Sequence, residues 1–222
     1  MATVLGHDFQ KQPPPDPLFE EIAAGLEERG YVVLPAGLPN DIVRCLQDRL
    51  AVLQDENFQL ARVGRGSDQI KNPTVRRDHI AWIDDSQPDV DPWLQWARRL
   101  RLFLNQRLYL GLFSFESHFS CFRAGDFYRQ HVDAFTGNLN RIVSLVAYFN
   151  EDWQADQGGE LVLYSPHEET ELVRVLPEAG TLVLFLSEEF PHEVLPTQRD
   201  RYAVAGWFRI NSSQTNHVDP PE

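Results

Sequence analysis

Apolar positions recur at helical spacing in the first half of the chain. In the second half they gather into short runs broken by turn residues. Phe19, Ile22, Ala23 and Leu26 share one face of a 3.6-residue period, which predicts a helix. Asp16 offers a side-chain acceptor to the first free amides, Pro17 presets φ at the first helical position, and Gly30 provides the stop. Tyr31–Leu34 reads as a short strand closed by Pro35. Ile42, Val43, Leu46, Leu50 and Leu53 predict a second helix over 39–56. Trp93, Trp96, Leu100, Phe103 and Leu104 predict a third, starting near Asp91-Pro92. Stripes of this kind serve core packing.

From Ser114 onward the pattern changes. Strand-like runs fall at 117–122, 142–149, 160–164, 171–176, 181–187 and 202–210, with Gly158-Gly159 and Glu178-Ala179-Gly180 as turns between them. Helices followed by many short strands predict an α+β chain whose second half is a sandwich or barrel. Between the second and third helices, 61–78 is rich in Arg, Gly and Ser and has little periodicity. A stretch this long and irregular inside a compact domain is disordered or functional. The first twelve residues and the stretch after Asn211 read as tails.

Composition narrows the field. The 222 residues carry 20 Lys+Arg and 33 Asp+Glu, so 20 − 33 gives −13, with 42% hydrophobic residues. That is a globular composition. The acidic excess argues against a nucleic-acid binder, which needs clustered cations, although Arg62, Arg65, Lys71, Arg76 and Arg77 make 61–78 locally basic. Two cysteines, Cys45 and Cys121, form neither a disulfide framework nor a zinc cluster. No run approaches the roughly 20 apolar residues of a membrane span. The expectation is a soluble, cytoplasmic protein with no membrane partner.

The candidate chemistry begins at His131-Val132-Asp133. In a strand, residues i and i+2 face the same way and could meet one ion. The pattern alone is weak, and a second copy, His217-Val218-Asp219, lies in the polar tail with no role assigned. Context lifts the first copy. His192 follows an apolar run and Pro191, and Arg201 comes nine residues later at the start of the last strand. Two imidazoles and a carboxylate on one face of iron leave positions open for a chelating keto acid and O₂. An arginine fork suits the acid's distal carboxylate. A zinc hydrolase could use the same three ligands but has no need of that arginine.

The pattern His-x-Asp … His-(8 residues)-Arg resembles the iron(II)- and 2-oxoglutarate-dependent dioxygenases. Within them it is most similar to the prolyl 4-hydroxylase branch, which holds the hypoxia-inducible-factor hydroxylases and their bacterial relatives. Tyr148-Phe149-Asn150, Asp152-Trp153 with Gly158-Gly159-Glu160-Leu161, Pro191-His192-Glu193-Val194, Arg201-Tyr202-Ala203-Val204 and Trp207-Phe208 carry the likeness. So does 76–83, similar to the end of the branch's mobile finger loop. The resemblance implies one domain over 1–222: helical support over 1–113, a double-stranded β-helix (jelly roll) over 114–210, and a tail over 211–222. It implies Fe(II) held by His131, Asp133 and His192. Arg201 and Tyr148 would hold 2-oxoglutarate, with Tyr128 as a further contact. Residues 61–78 would cover the substrate. Arg141 and Trp207 would line the entrance, Asp78 would brace the loop, and Arg76 would be a further substrate residue. O₂ would be the oxidant and ascorbate a supporting reductant. The implied reaction hydroxylates a prolyl residue of a protein and releases succinate and CO₂. The bacterial relatives imply a proline in the switch I region of elongation factor Tu.

One departure stands out. Animal members carry a cosubstrate-contacting tyrosine ten residues before the first histidine, where this chain has Cys121 followed by Phe122. Other readings stay open: an oxygenase acting on another residue or a small molecule, a metal-dependent hydrolase, or a binding module on a cupin-like barrel.

Overall fold

The computed structural model describes residues 16–53, 55–61, 72, 74–134, 140–168 and 170–211. Most of the expected covering loop, both tails and the second His-x-Asp lie outside them.

Helix α1 (Pro17–Arg29) begins as its sequence dictates: the Asp16 carboxylate accepts from the Leu18 N–H at 3.0 Å. It ends at Gly30, where φ is 76° and the N–H donates to the Leu26 carbonyl. A Cβ there would also strike the Phe190 ring at 2.8 Å, so Gly30 is needed twice. Strand β1 (Tyr31–Leu34) follows at once. Helix α2 (Asn40–Val52) stops short of the predicted Glu56; Leu53 is already extended and a 3₁₀ turn spans Asp55–Asn57. Its stripe is buried only through Leu46, and Val52 is exposed. Past that point Leu50 and Leu53 are only partly buried against the core, and the Asp and Asn side chains favour turns. After β2 (Gln59–Leu60) and β3 (His79–Ile83), helix α3 (Asp91–Leu108) buries Trp93, Trp96, Leu100 and Leu104. The two tryptophan rings stack at 5.6 Å.

The remaining strands are β4 (Ser114–Phe122), β5 (Tyr128–His131), β6 (Arg141–Tyr148), β7 (Leu161–Tyr164), β8 (Glu171–Val175), β9 (Leu182–Leu186), β10 (His192–Val194) and β11 (Arg201–Arg209). They form a seven-stranded sheet, β1-β9-β6-β11-β4-β3-β2, and a four-stranded sheet, β5-β10-β7-β8. This is the expected double-stranded β-helix backed by N-terminal helices. Strands β1 to β3 of the N-terminal half complete the large sheet, so residues from His79 belong to a strand where the sequence suggested the end of a loop.

The large sheet is buried on both faces. Val143, Leu145 and Ala147 of β6, with Leu182, Leu184 and Val204, pack against α1 and α3. Tyr148, Val183, Phe185 and Ala203 turn inward to meet Leu161, Leu163, Val175 and Val194 of the small sheet. Two apolar faces explain why β9 reads as an unbroken apolar run. Between the sheets a cavity of about 770 Å³ opens.

Candidate functional site

All ten residues singled out from the sequence line that cavity: Arg76, Asp78, Tyr128, His131, Asp133, Arg141, Tyr148, His192, Arg201 and Trp207. Strand pairing explains the first cluster. His131 closes β5, His192 opens β10, and the two are direct partners in the ladder. Their rings lie 4.2 Å apart between centroids. Asp133 arrives differently from the expected in-strand i+2 geometry: it lies in the bend past β5, so the turn and not the pleat aims it. Its two carboxylate oxygens sit 3.7 Å from His131 Nε2 and 3.7 Å from His192 Nε2. The three ligand atoms lie within 4.8 Å of one another.

The tautomers suit a metal. His131 Nδ1 lies 2.8 Å from the Arg129 carbonyl and His192 Nδ1 lies 3.0 Å from the Phe190 carbonyl. A carbonyl only accepts, so each Nδ1 donates and each Nε2 keeps its lone pair for a cation. Burial, then neighbouring His192, pushes His131 down to about 3, so the imidazole is neutral near pH 7. Burial opposes the Asp133 charge, yet His192, His131, Arg141 and the Ser144 hydroxyl hold its carboxyl below the usual range. Ser144 donates to Asp133 Oδ2 at 2.6 Å and lies 2.9 Å from Ser187 Oγ. Sequence reading missed Ser144. Its only signal was its place on the inward face of β6, two residues before Val146 and four before Tyr148.

The second cluster belongs to the large sheet. Arg201, 2% exposed, donates to the Gly159 carbonyl at 2.7 Å and to the Tyr148 hydroxyl at 3.0 Å. Its guanidinium also lies over the Phe122 and Tyr148 rings. Both hydrogen-bond partners are neutral, and among the described residues no carboxylate pairs with this cation. A buried charge without a counter-charge is costly, and an entering carboxylate would supply one. Gly159 permits the approach: a Cβ there would meet Arg201 Cδ at 3.1 Å. Burial pushes the Tyr148 phenol up against the pull of Arg201, so it stays protonated.

Tyr128 stacks on His131 with centroids 3.5 Å apart. Burial pushes its phenol up to about 12. Arg76 lies over the same ring and grips the fully buried Asp78 through two hydrogen bonds. Arg141 lies 3.6 Å over the Trp207 ring and donates twice to Glu116, which Arg209 also contacts. At the position of the departing tyrosine, counting back from His131 pointed to Cys121. Pairing corrects that count: Phe122 faces the cavity, while Cys121 shares its side of β4 with Phe119, which packs on the helices.

Known proteins agree with this geometry. The 2OG-Fe(II) oxygenase superfamily pattern matches residues 117–209. A Pseudomonas putida prolyl-4-hydroxylase is 39% identical, with a TM-score of 0.77 over 88% of this chain and 100% of that one. The chain belongs to the 2OG-Fe(II) oxygenase superfamily. Its cofactors are accordingly Fe(II) and 2-oxoglutarate, with O₂ as oxidant. A Trichoplax adhaerens prolyl hydroxylase in complex with a hypoxia-inducible-factor peptide is 27% identical, with a TM-score of 0.73 over 86% and 89% of the two chains. Human Egl nine homolog 1 is 26% identical over 200 residues, 85% of this chain and 46% of that protein. The chain thus spans about half the length of the curated relatives it first matches. Among the described residues no helix of this oxygenase is long and apolar enough to cross a membrane.

Proposed function

We propose that this oxygenase hydroxylates a prolyl residue of a protein, and that the protein is elongation factor Tu. The observation that carries the chemistry is one cavity holding two aimed imidazoles and a carboxylate at one end and an uncompensated buried arginine at the other. The 39% identity to a bacterial prolyl-4-hydroxylase, over the whole of that chain, supports the prolyl target. Elongation factor Tu is the target that the resemblance of the motifs to the bacterial branch implies.

In this reading His131 Nε2, Asp133 and His192 Nε2 hold the iron. Bound Fe(II) lets 2-oxoglutarate and O₂ react to give succinate, CO₂ and one oxygen atom inserted into a substrate C–H bond. Arg201 receives the distal carboxylate in charge-assisted hydrogen bonds, and Tyr148 adds its hydroxyl. Ser144 keeps one Asp133 oxygen engaged, fixing the carboxylate's orientation. Val183, Phe185, Leu161 and Val194 exclude water around the centre. Arg76 and Asp78 clamp the segment that enters β3, and the Arg141–Trp207 stack forms one wall of the entrance. A zinc hydrolase leaves the buried Arg201 without a purpose.

The test is peptide mass spectrometry of elongation factor Tu incubated with the protein, Fe(II), 2-oxoglutarate and O₂, with His131→Ala as control. One oxygen added to a switch I proline by the wild type alone is the expected result. Succinate without a modified proline overturns the partner and keeps the oxygenase.

A further inference from the structure

Two residues of the cavity wall take no part in the chemistry above. The large sheet extends beyond β11 through β4 and β3, and there Trp82, His118 and Ala205 lie in one cross-strand row. Trp82 is 51% exposed, an unusual state for a tryptophan on a sheet. Its ring meets His118 edge-on at 5.2 Å, and His118 meets Trp207 at 5.4 Å on its other side. The result is an aromatic row running outward from the entrance.

His118 is 2% exposed yet lines the cavity. Both of the ring's described hydrogen bonds use Nδ1, which lies 3.2 Å from the Phe119 carbonyl and 3.3 Å from Ser120 Oγ. The carbonyl requires a proton on Nδ1, so Nε2, on the opposite edge, carries a lone pair. Burial, with Arg76 nearby, pushes the ring down to about 4, which keeps it neutral. On this wing Glu116 is met by both Arg141 and Arg209, and Asp78 is paired with Arg76. The row is therefore aromatic, flanked by one more cation than carboxylate, and offers the His118 Nε2 lone pair as an acceptor.

We propose that Trp82 and His118 select the substrate by reading the peptide segment beside the reacting residue: His118 Nε2 accepts a backbone N–H and Trp82 covers an apolar side chain. The occupant is an extended, apolar stretch of the substrate protein without Lys or Arg. The inference rests on the prolyl-hydroxylase reading and deepens it. Arg141 and Arg209 outnumber Glu116 beside the row, so a cationic side chain is disfavoured there, and a proline at the position facing His118 has no N–H to donate.

The probe is a pool of short synthetic peptides with a fixed central proline and random flanks, incubated with Fe(II), 2-oxoglutarate and O₂. Hydroxylated products are sequenced by mass spectrometry. Wild-type products should lack proline at one flanking position and lack Lys and Arg around it, with apolar residues enriched nearby. His118→Phe keeps a ring in the row and removes the acceptor; it should admit proline at that position. Trp82→Ala, at an exposed site that cannot disturb the core, should lose the apolar preference and raise KM about tenfold, with kcat nearly unchanged. Fe(II) titration of both variants should match wild type within about twofold, which controls for folding. Wild-type products with unchanged preferences in both variants overturn this proposal alone. A pool left unmodified by wild type overturns the prolyl reading, and this proposal with it.

Discussion

The large sheet carries strands of eight and nine residues with most of their positions buried, while no strand of the small sheet exceeds five. The two sheets also divide the site. Both histidines stand on the small sheet, one at the end of β5 and one at the start of β10. Arg201 opens β11 and Tyr148 closes β6, two neighbouring central strands of the large one, and both side chains are fully buried. Stability and anchoring thus share one sheet, and the proposed metal ligands sit on, or just past, short strands. Groups buried in a densely packed sheet cannot be removed without cost to the fold, whereas groups on a smaller, less buried sheet cost less.

The comparison breaks most visibly at the triad. His131→Ala should lower Fe(II) affinity more than about 100-fold. Its unfolding free energy by urea titration should stay within about 1 kcal/mol of the wild-type apoprotein. A large loss of stability would contradict the division of labour.

Acid should strike the large sheet next. His118 is held near 4 in the folded chain against an ordinary 6.5, so the unfolded chain binds the extra proton first. Its contribution is fully present above pH 6.5 and drains away as pH falls to 4, for a loss of about 3 kcal/mol. His118→Phe should show a flatter urea midpoint between those limits. An identical pH profile in the variant would place the acid sensitivity elsewhere.

Arg201→Ala should affect both functions of its sheet. KM for 2-oxoglutarate should rise about 100-fold. Stability should fall by about 2 kcal/mol, because the Tyr148 hydroxyl and the Gly159 carbonyl lose a buried partner. A change in KM without a change in stability would separate anchoring from packing.

Ser144→Ala gives the smallest effect. It reaches from the large sheet to Asp133, so Fe(II) affinity should fall about tenfold while KM for 2-oxoglutarate holds. Fluorescence-monitored metal titration reads the first quantity and succinate release the second.

Much of this was legible in the chain. Helices α1 and α3 follow from their apolar period, and the His-x-Asp, His and Arg set follows from residue type and spacing. What was hidden depends on pairing between distant strands. Eight of the nine residues of β4 are buried, so its sequence shows no alternation to reveal which ones face the cavity. That is why counting chose Cys121 over Phe122, and why His118 passed unnoticed. Ser144 was equally silent, because its contact with Asp133 is made by a bend that no period predicts. Trp82 was visible as a residue, but only its pairing opposite His118 gives it a partner.

The most direct measurement is an anaerobic spectroscopic titration of Fe(II) and 2-oxoglutarate into the apoprotein. A keto acid chelated to ferrous iron absorbs visible light by charge transfer. Wild type should develop that band at saturation with one Fe(II) and one 2-oxoglutarate per chain. His131→Ala should give none, and Arg201→Ala should need about 100-fold more 2-oxoglutarate to reach it. A band of full intensity in His131→Ala, or none in folded wild-type protein, would contradict the assignment of the cavity.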